Sequence, residues 1–214
     1  MATFLRPLSY RYQWLYDSIS RTAALAVGGE RRFRHLALRD LVLTPETQIL
    51  DLCCGSGQTT QFLVTSGACV TGLDASPRSI QRAQGNVPEA TFVEGWAEAM
   101  PLGDRSFDLV HTSAAMHEMA TDQRQQIFAE VFRVLKPGGT FALVDFHRPT
   151  NPMFWPGLAL FLWLFETETA WQLLQTDLAA ALTQVGFHNT QPHLYGGGSL
   201  QVIQAHKPSI SQDK

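Results

Sequence analysis

Chemistry in this chain centres on the loop Asp51-Leu52-Cys53-Cys54-Gly55-Ser56-Gly57 and on a second acid, Asp74, 23 residues after Asp51. Gly55 and Gly57 lack side chains, so a ligand can press against the backbone there. The N–H groups that open the following helix attract a carboxylate. Asp74 ends the next apolar run, where an acid accepts hydrogen bonds from both hydroxyls of a ribose. A glycine pair alone is a weak signal. Placed after a strand and before a helix, with an acid ending the next strand, it points to a nucleotide-type ligand. The competing reading is a tight turn at Gly55 and Gly57 and a helix cap at Asp74. A dinucleotide site needs a third glycine, but Thr60 stands there, which argues against an NAD-dependent oxidoreductase. No Gly-Lys-Ser/Thr follows, so the P-loop pattern is absent.

His117 follows the fourth expected strand and is the first candidate for a general base; His147, one residue past the fifth, is the second. Each has an alternative as a loop hydrogen-bonding residue. Glu118 either orients His117 or faces solvent. Tyr10, Tyr12 and Tyr16 offer aromatic faces that could attract a cationic ligand or simply pack. His188 and His193 lie on a late strand with no third ligand close in sequence, so no metal is expected. Cys53, Cys54 and Cys69 lack zinc or redox spacing and read as small buried fillers. Their odd number and the absence of an apolar signal in Met1–Tyr12 favour a reducing compartment, the cytoplasm.

These residues need a frame. Apolar runs at Gln48–Leu52, Cys69–Leu73, Thr91–Val93, Phe107–His111 and Thr140–Phe146 alternate with helical stretches. Helices are expected over Gln58–Ser66, from Ser76-Pro77, and from a capping-box spacing at Asp122/Gln125 with a face of Ile127, Val131, Val134 and Leu135. Pro137-Gly138-Gly139 stops that helix. A last helix is expected from Thr169 to Val185, then strands Phe187–Leu194 and Ser199–Ala205 around Gly196-Gly197-Gly198. Alternation predicts an α/β fold with a mostly parallel sheet, helices on both faces and a C-terminal antiparallel hairpin. The loops after Leu52, Leu73, Val93, His111 and Phe146 then converge on one cleft.

The 214 residues, 45% hydrophobic and 16% charged, suit one globular unit. A net charge of −3 disfavours nucleic acid as a partner, although Arg31, Arg32 and Arg34 form a dense basic cluster. The stretch 151–165 is apolar nearly all round. It reads as a buried cap helix, as a greasy wall for a lipophilic acceptor, or, over 154–165, as a peripheral contact with a membrane surface. It is too short to span a bilayer, which takes about 20 apolar residues.

Ile49–Gly57 (ILDLCCGSG), Gly72-Leu73-Asp74, Gly95–Leu102 (GWAEAMPL), Phe107–Val110 (FDLV) and Val131–Gly139 (VFRVLKPGG) resemble the ordered motifs of class I S-adenosylmethionine-dependent methyltransferases. The resemblance spans about residues 45–147 and continues more faintly to Lys207. It implies a seven-stranded Rossmann-like methyltransferase fold. Residues 1–44 would form an N-terminal helical cap, 45–207 the cofactor-binding domain with an apolar insertion near 151–168, and 208–214 a frayed tail. It also implies a cofactor set of Asp51, Cys53, Gly55, Gly57, Asp74, Ala75, Trp96, Ala97, Ser113 and Tyr16. Asp51 and Gly55 would hold the methionine part and Asp74 the ribose, with Ala75 or Ser76 beside the adenine and Ala97 at its edge. Ser113 or Ala114 would line the pocket below the sulfonium. Many relatives carry Asp where this chain has Trp96, which either packs or stacks on the adenine, packing being preferred.

Within the family, Tyr16-Asp17, Val27-Gly28, Arg31–Arg34, Leu135–Gly139 and Val144-Asp145-Phe146 with Pro149 resemble the ubiquinone/menaquinone and phylloquinone-type C-methyltransferases. Those enzymes usually carry Arg-Asn after the fourth strand. Here the stretch is Ala115-Met116-His117-Glu118, whose His is similar to that of general small-molecule methyltransferases. The resemblance therefore implies a small, lipophilic acceptor such as a quinol. A general O- or N-methyltransferase and a non-catalytic cofactor-binding module stay open, as does the oligomeric state.

Overall fold

The computed structural model describes residues 29–209. The elements in chain order are α1 (Glu30–His35), β1 (Gln48–Leu52), α2 (Thr60–Leu63), β2 (Cys69–Asp74), α3 (Pro77–Asn86), β3 (Thr91–Glu94), β4 (Phe107–Ser113), α4 (Thr121–Val134) and β5 (Leu135–Phe146). They continue with α5 (Trp155–Phe165), α6 (Glu168–Leu173), α7 (Leu178–Val185), β6 (His193–Tyr195) and β7 (Leu200–His206). The strands form one seven-stranded sheet in the order β3-β2-β1-β4-β5-β7-β6. Pairing is parallel from β3 through β5 and antiparallel at β5–β7 and β7–β6. The expected sheet and hairpin are therefore present.

Side chains alternate across each strand. Leu50, Leu52, Val110, Phe141, Leu143 and Ile203 face one core with Ile127, Val131, Val134, Leu178 and Leu182 of α4 and α7. Ile49, Leu109, Ala142, Val144 and Val202 face the other, with Leu36 and Leu63. Burial on both faces is why these strands read as continuous apolar runs.

Several boundaries differ from expectation, each for a local reason. Ser76 caps α3 by accepting from Ser79 N, as its sequence predicts. The capping box at Asp122 and Gln125 does not form: Ala120 is the N-cap, without a side-chain bond, and Asp122 sits in the first turn. Leu135 leaves the helix and opens β5 opposite Phe107; Pro137 holds Lys136 in extended backbone, and the pairing with Phe107 takes Leu135 with it. The single helix expected over 169–185 is two, because Asp177 starts α7 anew by accepting from Ala180 N at 2.9 Å. The first hairpin strand shrinks to His193–Tyr195. Upstream of it Asn189 has φ 56°, and Pro192 has no N–H to pair.

The 151–165 stretch is not a buried cap. Within α5, Leu162 is fully buried, whereas Leu160 and Trp163 are 57% and 54% exposed; Met153 just before the helix is 79% exposed. Of the cysteines, Cys54 is buried, Cys53 is half-buried with its thiol turned inward, and Cys69 is exposed. Arg34 of the basic cluster points inward at 5% exposure.

Candidate active site

The carboxyl ends of β1, β2 and β4 frame the glycine loop. The Asp74 carboxylate ties the frame together. One oxygen accepts Gly55 N and the other accepts Ser76 N, each at 2.9 Å. Each oxygen keeps a lone pair for a ligand hydroxyl. Gly55 has φ +55° and open space where a Cβ would stand; Gly57 has φ +83° and lies against Val87 and Ala83. Two non-glycine residues, Cys53 (φ 57°) and Ala114 (φ 53°), also hold left-handed backbone, one just past β1 and one just past β4. Such conformations persist where the surrounding structure fixes them, commonly around ligands.

Asp51 is buried. Its oxygens meet the Thr60 hydroxyl, which donates at 2.6 Å, and His111 Nδ1 at 3.2 Å. The residue in place of a third glycine thus anchors the start of α2 through its side chain. Arg34 braces the same segment, donating to Gln58 Oε1 at 2.8 Å and Thr59 Oγ1 at 3.1 Å. Burial pushes the Cys53 thiol far up, and the negative charges of Asp74, Glu118, Asp51 and Glu98 push it further. Asp51 and Asp74 stand near the carboxyl ends of the paired strands β1 and β2, negative charges that favour a cation such as a sulfonium. Ser113 Oγ is buried there without a partner among the described residues. This orphaned hydroxyl, the open space over Gly55 and the spare lone pairs of Asp74 fit S-adenosylmethionine. Ala97 is buried and Ala75 exposed. Trp96 is 63% exposed, so the packing reading fails and its face is free to stack.

His117 lies on a short 3₁₀ turn, Met116–Glu118, after β4. The parallel register Ser113↔Val144 sets this turn beside the end of β5. There Asp145 accepts from His117 Nδ1 at 2.7 Å and from its backbone N at 3.2 Å, and also takes Phe146 N at 2.7 Å. The acid on His117 Nδ1 is Asp145, which the sequence does not single out; for Glu118 the sequence left open an orienting role or a solvent-facing one. His117 Nε2 faces Glu166 Oε2 at 3.4 Å. Burial lowers the imidazole pKa, but Asp145 and then Glu166 outweigh it and hold it well above the ordinary value. Arg124, also buried, donates to the carbonyls of Met119 (2.7 Å) and Met116 (3.4 Å), fixing both ends of the turn. Sequence spacing missed Asp145, Glu166 and Arg124. The available signal was an acid at the end of the strand that neighbours the His117 turn. The structure also gathers His117, Glu118 and Glu166 with ligand atoms within 4.8 Å of one another.

His147 does not join this group of contacts. Its Nδ1 meets the Gly198 carbonyl at 2.9 Å. It lines a separate cavity of about 590 Å³ with Arg148, Thr176, Asp177 and Gln201. The loop hydrogen-bonding reading therefore holds for it. Tyr10, Tyr12 and Tyr16, most of the expected N-terminal cap and residues 210–214 of the tail lie outside the described residues.

Comparison with known proteins agrees with this geometry. Residues 49–139 match the family described as "Methyltransferase domain". An uncharacterized methyltransferase of Synechocystis sp. is 60% identical, covering 96% of this chain and 97% of that one. A 2-phytyl-1,4-naphtoquinone methyltransferase of Nostoc sp. is 32% identical over 72% of this chain and 69% of its own. A solved structure of a SAM-dependent methyltransferase from Methanosarcina mazei shares the fold, with a TM-score of 0.63 at 24% identity, over 79% of this chain and 96% of that one. The chain belongs to the class I S-adenosylmethionine-dependent methyltransferases.

Proposed function

We propose that this enzyme methylates a small lipophilic acceptor bearing a hydroxyl group, of the quinol type. The observation that carries this reading is a polar array set in an aromatic wall. The Phe146 ring lies 4.6 Å from the His117 ring, Phe161 5.6 Å from Phe146, and Phe165 5.4 Å from Phe161. An apolar ring packs against such a wall, while Asp145, His117 and Glu166 offer one polar point for its hydroxyl. The name of the Nostoc relative, a naphtoquinone methyltransferase, is consistent with this class.

Methyl transfer is an in-line displacement at the sulfonium methyl, so the cofactor brings the electrophile. The protein's part is orientation. Asp74 and the Gly55 backbone fix the cofactor, and the Phe146–Phe161 wall fixes the acceptor. Asp145 holds His117, which together with Glu166 forms the polar point that faces the acceptor hydroxyl.

Met153, Trp155, Leu160 and Trp163, on or just before the helix that carries Phe161 and Phe165, are exposed. We propose that they meet the bilayer in which such an acceptor dissolves. Among the described residues no helix is long and apolar enough to cross a membrane, so the contact is peripheral.

The test is methyl transfer from labelled cofactor to quinols, phenols and amines, with mass analysis of products. Label on quinols, strongly reduced in His117→Ala, is the expected result. Label confined to amines, or full turnover by His117→Ala, would overturn the reading.

A further inference from the structure

We propose that His117, Glu118 and Glu166 bind one divalent transition-metal cation of the Zn²⁺ or Mn²⁺ class, with Asp145 as the outer partner that orients His117. This reverses the sequence expectation that no metal is used.

The two imidazole nitrogens are in different situations. Nδ1 meets Asp145 Oδ1 at 2.7 Å, the length of a charge-assisted hydrogen bond. Nε2 stands 3.4 Å from Glu166 Oε2, too long for such a bond. It matches the edge between two ligands on a tetrahedral cation, which bonds of roughly 2.0–2.1 Å place about 3.4 Å apart. Glu118 brings its carboxylate within 4.8 Å of both.

The ligand chemistry agrees. One imidazole and two carboxylates suit zinc or manganese rather than a thiolate-seeking ion. Two carboxylates balance a charge of +2. Three protein ligands leave a position open, the arrangement of catalytic rather than structural sites. A metal-binding histidine ordinarily donates its other N–H to a carboxylate, as His117 does to Asp145. Asp145 is in turn fixed by the backbone N–H groups of His117 and Phe146. Arg124 holds the carbonyls on both sides of the ligand-bearing turn.

The site lies at the carboxyl end of β4, which pairs in parallel with β1, the strand that leads into the cofactor loop. The open position suits the oxygen of an acceptor hydroxyl, which a cation would hold in its deprotonated, nucleophilic form. This catalytic part rests on the proposed hydroxyl acceptor; metal binding does not.

The experiment is titration of the chelator-stripped full chain with Mn²⁺ alone, following the free-ion signal by electron paramagnetic resonance. S-adenosylhomocysteine binding is measured calorimetrically on the same samples. One Mn²⁺ per chain, displaced by Zn²⁺, is expected. His117→Ala should weaken it by more than about a hundredfold and Asp145→Asn by ~10–100-fold. The near-isosteric Glu166→Gln should weaken it more than tenfold while keeping S-adenosylhomocysteine binding. Glu46→Gln, on a remote exposed loop, should change nothing. No Mn²⁺ bound to a chain that binds S-adenosylhomocysteine would overturn the proposal. So would equal Mn²⁺ binding by His117→Ala and Glu166→Gln. Failure of wild type to bind S-adenosylhomocysteine would instead strike the cofactor site, a separate readout.

Discussion

Asp74→Asn separates the two jobs proposed for Asp74, bracing the loop and binding the ribose. Asp74 accepts one loop N–H on each oxygen, at 2.9 Å in both cases, and presents each remaining lone pair outward. The amide keeps one acceptor and turns an NH₂ donor toward either Gly55 N–H or Ser76 N–H. One charge-assisted hydrogen bond is then lost inside the protein and one toward the ribose. Each contributes about 1.5–3 kcal/mol. On the ligand side that is roughly a 10–100-fold rise in the S-adenosylhomocysteine Kd. On the protein side, a chain of this size loses about 2–4 °C per kcal/mol, so the ligand-free Tm should fall by roughly 3–12 °C. Calorimetric titration and thermal denaturation of the same sample read both. A lower Tm with wild-type affinity would show that Asp74 only braces the loop, and the ribose assignment would be wrong. Unchanged values in both assays would refute the hydrogen-bond reasoning altogether.

Iodoacetamide at neutral pH should add one label, at Cys69, because burial and nearby carboxylates push the Cys53 thiol up, and burial with Asp51 and Asp74 does the same to Cys54; rapid double labelling by intact mass would contradict this. Glu130 accepts from Arg133, which lowers its pKa below the ordinary 4.5 against the opposing effect of burial, with help from Met100 N. Its stabilising contribution is thus present above the unfolded carboxylate range and lost as pH falls through the folded value. The Tm gap between wild type and Glu130→Gln should be largest near neutrality and close below about pH 4.5; a pH-independent gap would exclude the linkage. Wild type should float with liposomes and Leu160→Glu/Trp163→Glu should not; equal flotation of both would remove α5 as the contact.

The geometry of the glycine loop was legible because its parts are close in sequence and obey strand-end rules. Asp51, Gly55, Gly57 and Asp74 all fall within one strand-helix-strand unit. The acceptor half was not. Asp145 reaches His117 only because β4 and β5 are neighbours in parallel register, and Glu166 arrives from the end of an apolar helix. No local pattern encodes either pairing. Leu135 misled because an apolar residue at helical spacing serves equally well as the first residue of a buried strand. Trp96 misled because an aromatic side chain is ordinarily read as packed, whereas its ring stands outside the core.

The sheet order has a consequence for how the chain is made. β5, the strand that carries Asp145, is paired on one side by β4, but its other partner, β7, is the last strand in sequence. While a nascent chain emerges from the ribosome, the hydrogen-bonding edge of Thr140–Phe146 stays unpaired until Leu200–His206 has been synthesised. That interval exposes a strand edge of the kind that pairs with other chains. A truncation before Leu200 would make the interval permanent, so shortened products of this protein should aggregate rather than persist as soluble cofactor-binding fragments.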